Sequence, residues 1–372
     1  MALDIGRAPN SGRLIHLERS HSKFGGTESR PTPRRAASRT DSLLRWSGIA
    51  AAVILVVIAA IRPSLGLRLF WGLYVPLLPL VFLAVPGFWR NICPMAAVGQ
   101  LPARFSFSRG LRLPASVQRK APFISAGLFL LVVPLRHLLL DQSGIALAVF
   151  LLICLALSFV GGVLFSGKSG WCSQFCPMLQ VERLYGQSPL RVVQNSHCRP
   201  CVGCTSNCYD LRPATATLAD LYRDSGHSGR PRAWFAGAMP WLIVAFFTQA
   251  DLASPTLVSI ATLYGRTLLF VSLGIVLYSA ISKLAALSPH QLLLGHAVVA
   301  FNLYYFFVAK LTLAQAGVHS ALPVLAIQGG VIGLSMVWLR RALPLEQAQL
   351  DQSPAVVPAP RQARAKMTEK VG

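Results

Sequence analysis

Acidic side chains are the scarcest feature of this sequence. Asp and Glu together number 13 in 372 residues, and all charged types make up only 13% of the chain. A soluble globular domain carries about 25% charged residues, so a water-clothed domain of this length is excluded and a polytopic membrane protein is the first reading. Several chemical signatures are also missing. There is no phosphate-cradling glycine loop, no flavin or nicotinamide fingerprint and no Ser/His/Asp constellation, which argues against an independent enzyme. Cysteine is absent from the last four apolar runs.

What is present is mostly oil. Hydrophobic residues make up 53% of the chain, and mean hydropathy is +0.53. Charge-poor runs occupy 46–61, 69–88, 121–140, 143–165, 234–253, 263–282, 291–309 and 318–338, each about long enough to cross ~30 Å of hydrocarbon. They predict an all-α polytopic membrane protein of about eight transmembrane helices, with a small cytoplasmic loop between its two halves. Pro76, Pro79 and Pro86 predict a kink in the second helix.

The net charge of +22 would suggest nucleic acid in a soluble protein, but here the bases recur between apolar runs and report topology instead. With the N-terminus inside, 30 of the 35 Lys and Arg fall on the inner side and four (Arg62, Arg68, Arg136 and Lys310) on the outer side. Both termini and the 166–233 loop are therefore expected in the cytoplasm, with the bundle in the inner (plasma) membrane. Trp46, Trp89, Trp171, Trp234 and Trp338 then fall at inner helix ends, as an interfacial belt would place them. The expected segments are a disordered basic tail (1–44), four helices with a first Cys-Pro motif (45–165), a cluster loop (166–233), four further helices (234–339) and a second disordered tail (340–372). The first run starts far from Met1 and reads as a signal anchor rather than a cleaved leader. The tails read as solvated and topogenic, with no nucleic-acid partner.

Cys198, Cys201, Cys204 and Cys208 in "HCRPCVGCTSNCYD" have the spacing C-x2-C-x2-C-x3-C. In a reducing compartment such a cluster points to metal or redox chemistry. Thiolates two residues apart can wrap three corners of one iron–sulfur cube while the next points away to another. A zinc module, the alternative, usually separates two cysteine pairs by a longer spacer. Tyr209 stands where proline usually follows the fourth cysteine. A second signature, "GWCSQFCPMLQVERL", holds Cys172-x3-Cys176-Pro177, and "FWRNICPMAAVGQL" repeats its Cys-Pro-Met as Cys93-Pro94-Met95. At constant spacing Trp89 occupies the position of Cys172, so the first copy lacks one thiol. Cys154, deep in the fourth run, reads as a packing residue.

These motifs make residues 45 to about 215 similar to the membrane polyferredoxin family of NapH, NosR and CcoG type, whose hallmark is a pair of C-x3-C-P motifs at helix ends plus ferredoxin cysteine runs. The resemblance implies 4Fe–4S binding and electron carriage to or from membrane redox systems. Its cofactor and metal ligands would come from Cys198, Cys201, Cys204, Cys208, Cys172, Cys176 and Cys93. Cys176 is the best remote ligand for the cube started by Cys198, Cys201 and Cys204. Cys208, Cys172 and Cys93 remain for a second cube, one thiol short; the alternative is a single cluster with Cys93 a packing residue.

His137, His290, His296 and His319 lie in or beside the apolar runs, where facing histidines could ligate haem, but they read as interfacial or hydrogen-bonded histidines, because no pair shares a convincing depth. Arg266 reads as snorkelling rather than as a quinone or ion site, and His197 as a neighbour of Cys198 rather than a ligand. The expected function is relay of electrons between a cytoplasmic or quinone donor and a membrane redox system, with lipid and redox partner proteins around it. A cluster-containing assembly or redox-sensing factor is the main alternative, and a transporter with a regulatory metal loop a third.

Overall fold

A computed structural model describes residues 39–111, 113–165, 170–193, 209–210, 212–222, 228–252 and 254–352. Cys198, Cys201, Cys204, Cys208 and His197 lie outside the described residues. Helices α1 (Arg39–Ile61) and α2 (Pro63–Ala84) are followed by three short ones, α3 (Pro86–Ile92), α4 (Pro94–Val98) and α5 (Leu101–Arg104). Then come α6 (Ala115–Leu140), α7 (Gly144–Leu164), α8 (Met178–Tyr185), α9 (Pro213–Tyr222), α10 (Arg230–Phe247), α11 (Leu257–Leu284), α12 (Pro289–Gln315) and α13 (Ala321–Gln352). No β-strand occurs among the described residues.

Seven helices are long and apolar enough to cross a membrane: α1, α2, α6, α7, α11, α12 and α13. The run expected at 234–253 forms α10 and is the exception. Its first turn contains Arg230 and Arg232, which dilute its hydropathy. Even so, α10 lies alongside α6 in the same direction: Trp234 meets Phe123 at 5.9 Å, Phe235 meets Phe129 at 5.7 Å, and Phe246 meets His137 at 4.3 Å. Eighteen helical residues cover about 27 Å at ~1.5 Å per residue.

The expected kink in α2 takes a different form. The helix starts earlier than the apolar run suggested and widens into a π-helical segment over Arg68–Tyr74 ahead of Pro76 and Pro79. It breaks at Val85 (φ −151°, ψ 69°), and Pro86 then opens α3. Arg266 also sits deeper than expected, because α11 begins at Leu257; its side chain is exposed on the helix surface.

Burial is uneven. Phe82, Leu83, Tyr185, Leu293, Phe301 and Trp338 are almost fully buried where α2, α8, α12 and α13 meet. Trp338 is thus not part of an interfacial belt: it packs 6.4 Å from Phe301 and donates from Nε1 to Ser188 Oγ at 3.2 Å. Trp89 is also inside, 5.7 Å from both Tyr74 and Phe82, whereas Trp46 and Trp234 remain exposed. Helix α13 continues to Gln352, beyond the point where a tail was expected. On the other flank α1 and α7 meet over a small core of Ala59, Phe70, Leu147, Ala148 and Leu151 and leave Val53, Ile54, Leu152 and Ile153 exposed, as helices facing lipid would.

Candidate metal centre

Both Cys-Pro motifs fold into the same turn. A residue before proline is pushed out of the helical region, and proline suits the first turn of a new helix. Cys93 accordingly adopts φ −58°, ψ 118° between α3 and α4, and Cys176 φ −56°, ψ 123° ahead of α8. Each cysteine ends one helical turn and opens the next. The backbone N–H of Cys93 bonds to the Trp89 carbonyl at 2.8 Å, and that of Cys176 to the Trp171 carbonyl at 2.9 Å.

Those two bonds revise the repeat. Counted from the cysteine, the first closes over four residues and the second over five, because Trp171–Phe175 is a π-helical turn. Trp89 therefore corresponds to Trp171, and the second copy is the first with one residue inserted. The first copy has not exchanged a cysteine for tryptophan: the extra residue makes room for Cys172 while both tryptophans keep their place. Single-turn π insertions of this kind are frequent at functional sites.

Serines from two neighbouring helices hold the turns. Ser125 of α6 donates to the Cys176 carbonyl at 2.7 Å, and Ser158 of α7 to the Met95 carbonyl at 2.5 Å. Helix α7 approaches so closely that a Cβ on Gly162 would lie 1.9 Å from the Gly99 carbonyl oxygen; only glycine fits there.

Cys93, Cys172 and Cys176 line one cavity of about 1020 Å³. They are partly buried and form no disulfide. Burial pushes the Cys93 thiol up to about 12, with Cys172 adding to the rise, while N–H groups of Ala96 and Met95 oppose it. Cys176 is raised well above the ordinary range by burial, then by Cys172 and Cys93, and is opposed by the N–H of Met178. The three thiols thus lie within one another's electrostatic reach. Among the described residues no group of three or more His, Cys, Asp or Glu is gathered tightly enough for one metal ion. By donor chemistry alone, thiols with backbone N–H groups beside them are the kind of set that would hold an iron–sulfur cluster, each corner of which takes a separate thiolate.

A charged clamp surrounds the turns. Arg90, on α3 one turn before Cys93, pairs with Glu182 of α8 and with Asp210 Oδ1, and donates to the Tyr209 carbonyl at 3.2 Å. Those two carboxylates raise its pKa against the opposing effect of burial. The Tyr209 ring lies under the guanidinium groups of Arg183 (4.7 Å) and Arg232 (5.0 Å), and its hydroxyl meets Asp220 and Arg232. Burial and the nearby Arg232 lower Arg183 to about 10. Upstream, Leu190 and Arg191 bond to the carbonyls of Leu83 and Ala84, and Val193 sits so close to Gly87 that a Cβ there would lie 2.0 Å from its carbonyl oxygen. The chain therefore leaves at Val193 and returns at Tyr209 over the same short helix, at Gly87 and Arg90. The stretch between contains the four-cysteine run.

Sequence reasoning missed this clamp, although a hint existed: three of the thirteen acids, Glu182, Asp210 and Asp220, fall close to the cysteine motifs. The histidines are engaged elsewhere. His137 lies 2.6 Å from Asp251 and 3.1 Å from the Phe246 carbonyl, His296 is 2.9 Å from the Leu292 carbonyl, His290 is 3.5 Å from Glu346, and His319 is exposed. Cys154 is buried within α7 and also borders the cavity.

Compared with protein-family models, curated proteins and solved structures, the chain matches none.

Proposed function

We propose that the chain is a membrane-bound 4Fe–4S electron relay, taking electrons from a cytoplasmic or quinone donor and passing them to a membrane redox system. The observation that carries this reading is the convergence of Cys93, Cys172 and Cys176 on one cavity, next to the two points where the segment bearing Cys198, Cys201, Cys204 and Cys208 is tied down. Bound there, a cluster supplies one-electron transfer. The chain's own work is to offer thiolates from rigid turns, to supply N–H groups beside them and to keep the site at the end of the bundle. The polyferredoxin resemblance rests on the cysteine motifs alone.

Eight crossings fit this reading if α10 counts with the seven, since it lies along α6 from end to end. Both termini and the cluster loop are then on the inner side. A quinone donor suits the cavity, which runs from the thiols past Tyr74 to Arg136 and Tyr304 and is bordered by α1 residues such as Ile54 that are open to lipid. Accessible, low-pKa thiols would favour the sensing alternative; Cys93 and Cys176 are partly buried.

The anaerobically purified protein should be brown, contain iron and acid-labile sulfide in near-equal amounts, and give an EPR signal on reduction. Stoichiometric zinc without labile sulfide would overturn the proposal.

A further inference from the structure

Among the described residues, three π-helical turns each supply a side chain to the cavity: Tyr74 closes Arg68–Tyr74, Trp171 opens Trp171–Phe175, and Arg136 opens Arg136–Leu140. Arg136 is satisfied. It pairs with Asp141 at 3.0 Å, and its guanidinium stacks 3.8 Å from the Trp71 ring and 4.5 Å from Phe246. The other two are not. Trp171 Nε1 is a buried donor with no partner, and an indole N–H can only donate. The Tyr74 hydroxyl has no hydrogen-bond partner among the described residues, and Cys93 and Cys176 are its ionisable neighbours. Its ring is held by stacking on Phe70 at 5.5 Å and by Trp89 at 5.7 Å, so the hydroxyl is fixed with respect to both thiols.

An unpaired buried donor such as Trp171 Nε1 costs about 1–3 kcal/mol, and Trp171 lines, together with Tyr74, the cavity that holds the three thiols. Thiolate and sulfide sulfur are the acceptors that a bound cluster would bring. Hydrogen bonds to those sulfurs stabilise the more negative, reduced form and raise the reduction potential.

We infer that Tyr74 and Trp171 are potential-setting residues, donating from Oη and Nε1 to sulfur at the centre formed by Cys93, Cys172 and Cys176. The inference rests on the iron–sulfur reading above and adds to it two residues that hold no iron. Neither is a ligand, so each can be removed with the metal retained. Tyr74→Phe keeps the ring stacked on Phe70 and takes away only the donor.

The test is a redox titration followed by EPR on the full-length protein, comparing wild type, Tyr74→Phe and Trp171→Phe, with iron counted in each. Iron should be unchanged and the midpoint potential should fall; each tenfold change in the reduction equilibrium reads as about 59 mV for one electron. Fe–S stretching bands that shift in D₂O should lose part of that shift in each variant, a signature that packing alone would not produce. Unchanged potentials and D₂O shifts at full iron occupancy overturn the inference and leave the relay standing. Iron lost from both variants with the fold retained makes these residues part of cluster retention and also overturns it. Wild-type protein without iron overturns the relay and the inference together.

Discussion

The two Cys-Pro turns have the same ends and different interiors. Both begin with a tryptophan carbonyl that accepts the cysteine N–H, and both end with proline and methionine opening a short helix. The first closes with three residues between Trp89 and Cys93, the second with four between Trp171 and Cys176. One extra residue, absorbed as a π turn, is all that separates a one-thiol turn from a two-thiol turn. Backbone hydrogen bonding keeps the same frame in both, and the number of thiols differs inside it.

Deleting Ser173 should have the largest effect, because it makes the second turn as short as the first. The π turn would relax to an α turn, and Cys172 would rotate by about 100° around the helix, away from the other thiols. Bound iron should fall by about half or more by chemical assay, since the cube that depends on Cys172 is lost; iron retained at the wild-type level would mean that the extra residue is not what brings Cys172 to the site.

Cys93→Ser tests the first turn. With two clusters, about eight irons should fall to about four, measured by iron quantification against labile sulfide. An unchanged content would reduce Cys93 to packing and leave the two turns alike in backbone only.

Arg90 bridges the turns, so Arg90→Gln should weaken both. It removes the Arg90 cation from Glu182 and Asp210 in a region where all three side chains are less than a fifth exposed, and breaking a buried pair costs about 3–5 kcal/mol. Equilibrium unfolding in detergent should show a loss of that size, with Arg90→Lys restoring part of it. A loss below ~1 kcal/mol would place the pairs in the class of surface contacts.

The smallest effects should come from Ser125→Ala and Ser158→Ala. Each removes one side-chain bond to a turn carbonyl, worth about 1 kcal/mol, and the two losses should match in the same unfolding experiment. A large difference would break the equivalence of the turns.

The helices were largely legible, because apolar runs of crossing length leave few other folds open. Their exact roles were less so. The run at 234–253 was visible, but Arg230 and Arg232 shift the helix towards its polar end, and its place beside α6 depends on Phe123, Phe129 and His137, far away in sequence. Trp338 looked interfacial by position, yet the depth of a side chain depends on what packs over it, here Phe301 and Ser188. The repeat was also legible, but counting at fixed spacing paired Trp89 with Cys172. A π insertion changes the count without leaving a residue signature of its own; the repeated tryptophan was the available clue. The Arg90 clamp was hidden for a different reason, since its partners are more than ninety positions away and meet only through the fold.

The anchoring of Val193 and Tyr209 to one short helix has a consequence for how such a protein can diversify. Gly87 and Arg90 are one turn apart, so whatever chain joins those anchors begins and ends at nearly the same place. Closing a longer excursion between them is cheap: doubling its length adds only about 0.6 kcal/mol of entropy cost. The position is therefore a natural socket, where a second cysteine run could be spliced in, or a shorter one exchanged, while every helix of the bundle keeps its neighbours.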